Sequence, residues 1–169
     1  MTPDICITPA GENDIAAIRQ TALEVWPKVY ANLLTSEQIS YMMDMMYSSD
    51  VIIRELASGV SWFIVKCNNE IAGYASIYPT ELNGTPVVKL DKLYLRECFR
   101  KLGVGKQLLM YIVQEAQNAG VTKLILNVNK YNTSAQAAYK RWGFTLAKSE
   151  VNDIGNGFVM DDFVFALDI

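Results

Sequence analysis

The feature that most constrains this chain is a glycine pair, Gly103 and Gly105, placed between a strand-like run and a long helical pattern. Apolar and β-branched residues dominate 87–95, whereas apolar residues recur at helical spacing over 103–119. A strand that leads through glycines into a helix leaves backbone N–H groups uncovered at the positive end of the helix dipole. The segment 100–106 therefore predicts a site for a phosphate or pyrophosphate.

Two common nucleotide-binding motifs do not fit this segment. A P-loop needs a glycine where Arg100 stands and a serine or threonine where Gln107 stands. A dinucleotide fingerprint needs a third glycine at the position of Leu108, and its strand belongs to an opening βαβ unit rather than to mid-chain. A glycine pair with a purely structural role remains an alternative at this point.

Composition narrows the class of protein. The 169 residues suit one domain over 1–169, and a hydrophobic share of 51% with 20% charged residues is typical of a globular chain. The net charge of −3 gives no basic surface for a nucleic-acid partner. We find no apolar run long enough for a bilayer and no leader-like start, so we expect no membrane partner and a cytoplasmic location.

The absence of histidine restricts the chemistry further. It excludes serine–histidine and cysteine–histidine catalysis and histidine-ligated zinc. The three cysteines are widely spaced, which argues against a disulfide framework and a thiolate metal site, so we expect no metal. Acid–base work must then use Tyr, Asp, Glu, Lys, Cys, a terminus or water.

The hydrophobic pattern predicts a mixed α/β fold. Pro27 is expected to kink or divide the first helix. The second helix carries four of the seven methionines, over 41–47, either as an adaptable core face or as a pliable lid. The predicted strands are 4–9, 62–67, 71–78, 87–95, 121–128, 144–151 and 158–167; the helices begin at Asn13-Asp14, Thr35, Ser49, Gly103 and Asn132.

Two motifs in register resemble those of a known family. Arg100-Lys101-Leu102-Gly103-Val104-Gly105 resembles the [QR]-x-x-G-x-[GA] signature of the GNAT superfamily of acetyl-CoA-dependent N-acetyltransferases. Asn132-x-x-Ala135-x-x-x-Tyr139-x-x-x-Gly143-Phe144 is similar to its second motif. The resemblance covers 87–145 and implies a GNAT-like domain: a twisted, mostly antiparallel sheet of about seven strands with about four to five helices.

The resemblance also implies the cofactor contacts, with acetyl-CoA as co-substrate. The backbone amides of Leu93 and Leu95 would bind the acetyl carbonyl and the pantetheine arm. Asn132 would contact the same arm, or simply cap its helix. The pyrophosphate would lie on a loop whose N–H groups and side chains come from Arg100, Lys101, Leu102, Gly103, Val104, Gly105 and Lys106.

Two residues are candidates for proton transfer. Tyr139 stands two helical turns after Asn132 and so faces the same way, which suits a general acid for the leaving thiolate; the alternative is a core aromatic residue. Asp91 shares strand parity with Leu93 and could act as the base, directly or through water. The alternative role for Asp91 is that of an exposed salt-bridge partner.

The acceptor is less constrained than the cofactor. Segments 36–42 and 153–162 look similar to a bacterial branch that includes spermidine and spermine acetyltransferases, which implies a polyamine or another small amine. The acidic residues Glu150, Asp153, Asp161 and Asp162 could hold its second charge, or form a solvated surface. A protein or peptide N-terminal acetyltransferase and a non-catalytic acyl-CoA sensor remain alternatives, and a homodimer remains open.

Overall fold

The computed structural model describes residues 2–169 and has the mixed α/β architecture that the sequence predicts, with seven strands and five α-helices. The strands are β1 (Ile5–Pro9), β2 (Ser61–Cys67), β3 (Glu70–Leu82), β4 (Thr85–Leu95), β5 (Lys123–Asn129), β6 (Thr145–Gly155) and β7 (Phe158–Asp168). The helices are α1 (Ile15–Tyr30), α2 (Ser36–Tyr47), α3 (Ser49–Ala57), α4 (Val104–Asn118) and α5 (Thr133–Arg141).

The strands form one sheet in the order β1-β2-β3-β4-β5-β7-β6. Strands β1 to β4 make an antiparallel meander, and α4 crosses over to place β5 parallel to β4. These two strands pair only where Val88–Leu90 meets Leu124–Leu126. Beyond Leu90 they diverge, and their separation opens the sheet at its centre.

Each face of the sheet has its own apolar core. On one face, α4 buries Val104, Leu108 and Ile112 against the strands, and α5 adds partly buried residues. On the other face, α1, α2 and α3 enclose a core rich in aromatic residues that includes Trp26 and Trp62. The opening between β4 and β5 therefore lies between two separately packed layers.

Helix α1 is not divided at Pro27, which was one of the two outcomes, a kink or a division, that the sequence predicted there. It continues from Ile15 to Tyr30. Proline removes the hydrogen bond to the carbonyl four residues earlier, and this residue, Leu23, is 55% exposed, so its carbonyl lies on the side that water can reach. Burial of Trp26 and Tyr30 holds the last turn in place.

The methionine-rich helix α2 is part of the core. Its cap is the predicted one, since Thr35 Oγ1 accepts a hydrogen bond from the Gln38 N–H at 3.1 Å. Met42 is buried, and Met43 and Met46 pack beside it. This packing favours the core interpretation of the methionines over the lid.

The hairpin between β3 and β4 is longer than predicted. The sequence suggested a turn over 81–86, whereas the strands extend to Leu82 and from Thr85. Asn83 and Gly84 both adopt positive φ, +51° and +78°, which permits a tight two-residue turn. Within residues 2–169, no helix combines the length and the apolar character needed to cross a membrane.

Candidate active site

A cleft of about 520 Å³ lies where β4 and β5 separate. The carboxyl end of β4, the start of α4 and one side of α5 form its walls. Most of the residues that the sequence predicted as functional come together here. Those that line the cleft are Asp91, Leu93, Leu95, Arg100, Lys101, Gly103, Gly105, Lys106, Asn132 and Tyr139.

The amides of Leu93 and Leu95 face the cleft. In an antiparallel pair, alternate residues bond to the partner strand and the others turn their polar groups away. The Arg96 N–H donates to the Ala72 carbonyl at 2.8 Å. Arg96 and every second residue before it therefore direct their backbone N–H groups toward β3. Leu93 and Leu95 are the intervening positions, so their N–H groups point toward β5, whose pairing with β4 has already ended.

Gly73 shapes this wall and is not among the residues predicted from the sequence. It pairs with Leu95, and a Cβ atom built on it would lie 2.1 Å from the Tyr94 carbonyl oxygen and 3.0 Å from Leu95 Cα. The two strands thus approach more closely than any side chain would allow. An isolated glycine within a strand was the signal that could have revealed this contact.

The loop before α4 has the conformation that an anion site requires. Lys101 and Gly103 adopt positive φ, +64° and +83°, and the helix begins directly afterwards. The first-turn N–H groups of a helix have no partner within it, so those of Val104, Gly105 and Lys106 remain available. A Cβ at Gly105 would lie 3.3 Å from side-chain atoms of Leu95 and Trp142. Glycine at this position therefore lets α4 lie close to these two side chains.

Two members of the predicted loop do not line the cleft with their side chains. Leu102 is 49% exposed, and Val104 is buried in the core beneath α4. Only their backbone groups belong to the loop. The glycine motif therefore specifies a backbone conformation, with side chains at these positions free to serve solubility or packing.

Helix α5 positions Asn132 and Tyr139 on the opposite wall. Asn132 caps the helix, since its Oδ1 accepts a hydrogen bond from the Ala135 N–H at 3.3 Å. The Tyr139 ring is held edge-on against Trp142 and Phe144, with centroids 5.8 and 5.5 Å away. Burial raises the pKa of Tyr139 well above its ordinary value, so its hydroxyl keeps its proton at neutral pH.

The predicted parity of Asp91 with Leu93 is wrong because β4 contains a bulge. Lys92 pairs with Ser76 and Leu90 with Ile77, which leaves Asp91 as the extra residue. Leu90 and Leu93 therefore pack in the same core, although two residues three positions apart would face opposite sides of a regular strand. Asp91 still lines the cleft, but its carboxylate accepts a hydrogen bond from Lys92 Nζ at 2.5 Å.

Lys92 is a buried cation that was not predicted from the sequence as part of the site. The residue is only 4% exposed, and its ammonium lies 3.8 Å from the Glu55 carboxylate and 4.9 Å from the centre of the Trp62 ring. Burial raises the pKa of Glu55, and the charge of Lys92 opposes that rise. The bulge thus places an ion-paired carboxylate, Asp91, at the rim of the aromatic core.

Two tyrosines close the cleft on the α1 side. The hydroxyls of Tyr30 and Tyr94 lie 2.8 Å apart and share a hydrogen bond. Burial raises the pKa of Tyr30 to about 12, although the hydrogen bond with Tyr94 acts to lower this pKa. Both residues line the cleft as neutral hydroxyl groups.

A polar group of side chains adjoins the cleft beyond β5. Asn127 lines the cleft, and its Nδ2 donates to Glu150 Oε1 at 2.7 Å and lies 3.5 Å from Asp162 Oδ2. Burial acts to raise the pKa of Glu150, but hydrogen bonds from Asn127, Asn152 and Lys148 lower it to about 2. Burial raises the pKa of Asp162, with Asn127 and Lys89 opposing that rise.

Comparison with known proteins identifies the family. The protein-family model described as "Acetyltransferase (GNAT) family" matches residues 24–144. The chain belongs to this family. The expected class of enzyme, an acetyl-CoA-dependent N-acetyltransferase, is thereby confirmed for this GNAT protein.

Individual matches agree with the family model. An uncharacterised N-acetyltransferase in the pepI 3′ region of Lactobacillus delbrueckii subsp. lactis is 23% identical over 89% of this chain and 90% of its own length. The 5-NmdU N-acetyltransferase of Pseudomonas phage PaMx11 is 30% identical over 73% and 84%. Among solved structures, the PaiA N-acetyltransferase of Thermoplasma acidophilum, in complex with coenzyme A, has a TM-score of 0.79 at 19% identity and covers 98% of this chain and 99% of its own.

Proposed function

We propose that this GNAT protein moves the acetyl group of acetyl-CoA to a primary amine of a small molecule by direct attack. One observation carries the proposal: a single cleft joins the free N–H groups of the α4 terminus, the outward amides of β4 and the protonated phenol of Tyr139. The coenzyme A complex of the Thermoplasma protein, which has the same fold, supports an acyl-CoA ligand.

The residues of the cleft fit acetyl-CoA. The N–H groups from Lys101 to Lys106 would hold its pyrophosphate, with the side chains of Arg100 and Lys106 adding positive charge. Leu95 and Asn132 would hold the pantetheine arm. The close packing of Gly105 against Leu95 and Trp142 suits an unbranched chain such as this arm. The bound molecule supplies an activated thioester.

The Leu93 N–H would donate to the thioester carbonyl oxygen. This hydrogen bond strengthens as negative charge develops on that oxygen, so it stabilises the transition state more than the bound substrate. The geometry of β4 favours such a role, because the register turns this N–H toward the space that β5 leaves open.

Tyr139 would protonate the departing thiolate. A thiol has a pKa of about 8.5, below that of a phenol, so the transfer runs against the pKa difference and requires the Tyr139 hydroxyl to be held close to the thiolate. The packing of the ring on Trp142 and Phe144 fixes the hydroxyl, and the raised pKa ensures that it carries a proton. The proton returns to Tyr139 from solvent after thiol release.

Asp91 is the proposed base for the attacking amine. An amine with a pKa of about 10 arrives as an ammonium ion and must lose a proton before attack. Asp91 lines the cleft near Leu93, and the hydrogen bond from Lys92 fixes its carboxylate at the rim. We place a water molecule between this short side chain and the amine as the proton carrier.

The contacts around α2 favour a small acceptor over a peptide. Tyr41 donates to the Ile154 carbonyl at 2.6 Å, and Gln38 donates to the Val159 carbonyl at 2.9 Å. These bonds hold α2 against the β6–β7 hairpin. They also join the two segments, 36–42 and 153–162, that resemble the polyamine-acetylating branch, which supports a polyamine or related amine.

A thiol-release assay tests the proposal. Acetyl-CoA is offered with polyamines, amino acids, aminoglycosides and peptides in turn, and free thiol is measured against a reaction without acceptor. We expect release with small amines, polyamines first among them. Release with peptides only would favour the N-terminal acetyltransferase alternative, and binding of acetyl-CoA without release would favour a sensor.

A further inference from the structure

Asp162 on β7 is a buried carboxyl group that the chain itself does not satisfy. The residue is 6% exposed, and within residues 2–169 its Oδ1 has no hydrogen-bond partner. Its Oδ2 has only the long 3.5 Å contact to Asn127. A carboxyl group left in this state costs free energy, so its presence points to a partner that comes from outside the chain.

Glu150 brings a second carboxylate to the same place. It pairs with Asp162 across the β6–β7 ladder, and both side chains contact Asn127. Since Asn127 also lines the cleft, this side chain connects the two carboxyl groups to the acceptor end of the active site. Adjacent like charges raise the cost of leaving the site without a cation.

Within residues 2–169, no lysine forms an ion pair with Asp162. Lys130 pairs with Asp161 at 2.9 Å, and Lys148 pairs with the outer oxygen of Glu150 at 3.1 Å. Lys89 lies over the Tyr78 ring at 5.9 Å and acts on Asp162 only through its longer-range charge. Residues 2–169 contain no group of three His, Cys, Asp or Glu side chains arranged for a metal ion. An organic cation is the ligand that fits this pair.

We infer that Asp162, assisted by Glu150, binds an ammonium group of the acceptor that is distinct from the amine to be acetylated. The inference rests on the proposed function and narrows its substrate class to diamines and polyamines. The ammonium would enter beside Asn127, which lines the cleft, and would donate charge-assisted hydrogen bonds to the Asp162 carboxylate. No bond in the acceptor changes at this site; the ammonium serves only to position it.

The test compares Asp162→Asn with wild type on two acceptors, 1,4-diaminobutane and 1-aminobutane. We expect the KM for the diamine to rise by about tenfold or more, which is the loss of a charged hydrogen bond. The KM for the monoamine, the kcat and the KM for acetyl-CoA should each change by less than about twofold. Asp161→Asn is the matched control, since it removes the same charge from the neighbouring residue that Lys130 already pairs.

Two results would overturn the inference. An equal change for both amines, or a fall in kcat with a shifted pH profile, would mean that Asp162 supports the fold or acts as a base. Unfolding measurements separate the structural case, since removal of an unpartnered buried charge should leave the melting temperature of Asp162→Asn unchanged or higher.

Calorimetric titration with 1,4-diaminobutane tests the site without turnover. Wild type should bind the diamine, and Asp162→Asn should lose that binding while Asp161→Asn keeps it. If wild type acetylates neither amine but shows this pattern, the proposed reaction fails and the cation site stands. If wild type acetylates both amines equally well and the variant binds like wild type, the reaction stands and the cation site fails.

Discussion

The two sides of the cleft are built in different ways. On the donor side, the main polar groups are backbone amides from one stretch of chain, 93–106, shaped by the register of β4 and by Gly103 and Gly105. On the side that we propose for the acceptor, called the acceptor side below, they are side chains from separate elements. Tyr30 of α1, Asp91 of β4 and Asn127 of β5 line the cleft, and Asn127 contacts Glu150 of β6 and Asp162 of β7 next to it.

This difference has a physical origin. A pyrophosphate and a pantetheine arm can be held by main-chain groups, which every residue carries, so the constraint falls on backbone conformation. An acceptor of particular charge and length needs side chains at particular positions. Substitutions on the donor side should therefore act through geometry, and those on the acceptor side through charge and hydrogen bonding.

Tyr139→Phe should have the largest effect, because it removes the one side chain of the donor side to which we assign chemistry. The phenyl ring keeps its packing on Trp142 and Phe144, so the fold and acetyl-CoA binding should persist. Loss of a general acid is expected to lower kcat by roughly 10²-fold, with the KM for acetyl-CoA within about twofold. Steady-state kinetics by thiol release, with calorimetry for acetyl-CoA, provide the measurement.

Unchanged turnover in Tyr139→Phe would remove this residue from the mechanism. Trp142→Phe serves as the comparison, since it alters the aromatic neighbour without touching the hydroxyl. A fall in kcat for both variants, with weakened acetyl-CoA binding in each, would instead indicate a packing role for the whole aromatic group.

The sequence predicted most of the donor side because glycines and periodicity report on backbone conformation. The strand before the loop, the glycines at its end and the helix after it are a local pattern, and the structure places them as expected. Gly73 escaped notice because its partner, the Tyr94 carbonyl, is distant in sequence. The continuity of α1 could not be predicted because tertiary burial of Trp26 and Tyr30 outweighs the local penalty at Pro27.

Gly73→Ala should come next in size and tests whether the donor side depends on backbone spacing. A Cβ atom 2.1 Å from the Tyr94 carbonyl oxygen must push β4 away from β3, which displaces the amides of Leu93 and Leu95. We expect a loss of about 2–3 kcal/mol in the free energy of unfolding and weaker acetyl-CoA binding. Chemical denaturation and calorimetry measure the two effects.

Gly11→Ala is the matched control for this change, because a Cβ there meets nothing within 4 Å. Its stability and its affinity for acetyl-CoA should equal those of wild type. If Gly73→Ala loses stability but binds acetyl-CoA normally, the amides of β4 are not the binding groups, and the contrast between the two sides loses its main support.

Lys92→Met tests the charge dependence of the acceptor side. Its ammonium serves Asp91 and Glu55 together, so the change leaves two carboxylates near an apolar core. We expect a loss of about 2 kcal/mol in the free energy of unfolding, less than for a fully buried pair because both carboxylates are partly exposed. Lys66→Met, at an exposed position of β2, should have little effect.

A double variant sharpens this prediction. Glu55→Gln in the Lys92→Met background should restore part of the lost stability, since it removes one of the unpaired charges. Losses that simply add in the double variant would show that Lys92 stabilises the fold through its packing on Trp62 and Tyr47 rather than through its charge.

The acceptor side could not be predicted to the same depth, because its contacts depend on register. The sequence placed Asp91 on the same side as Leu93, and one bulge reversed that assignment. The carboxylates of the terminal hairpin were visible in the sequence as a cluster. Only the pairing of β7 with β5 and β6 distinguishes Asp162 from Asp161. Asp162 is buried, and its Oδ1 has no hydrogen-bond partner within residues 2–169, whereas Lys130 neutralises Asp161.

Glu150→Gln should give the smallest effect, and its pH dependence separates it from its neighbour. The pKa of Glu150 lies at about 2, below its ordinary value of 4.5, so the carboxylate adds stability above pH 4.5 that is lost as the pH falls toward 2. The variant should be less stable than wild type at neutral pH by roughly 1 kcal/mol or less, since the side chain is partly exposed. The difference should vanish near pH 2.

Asp162→Asn should show the opposite dependence. Burial raises the pKa of Asp162 above 3.8, so the wild-type carboxyl group favours the folded state at low pH and loses that advantage as the pH rises through the raised value. The variant should therefore equal or exceed wild type in stability at neutral pH. Denaturation curves for both variants between pH 2 and pH 7 measure these slopes, and parallel curves would mean that the two carboxyl groups share one environment.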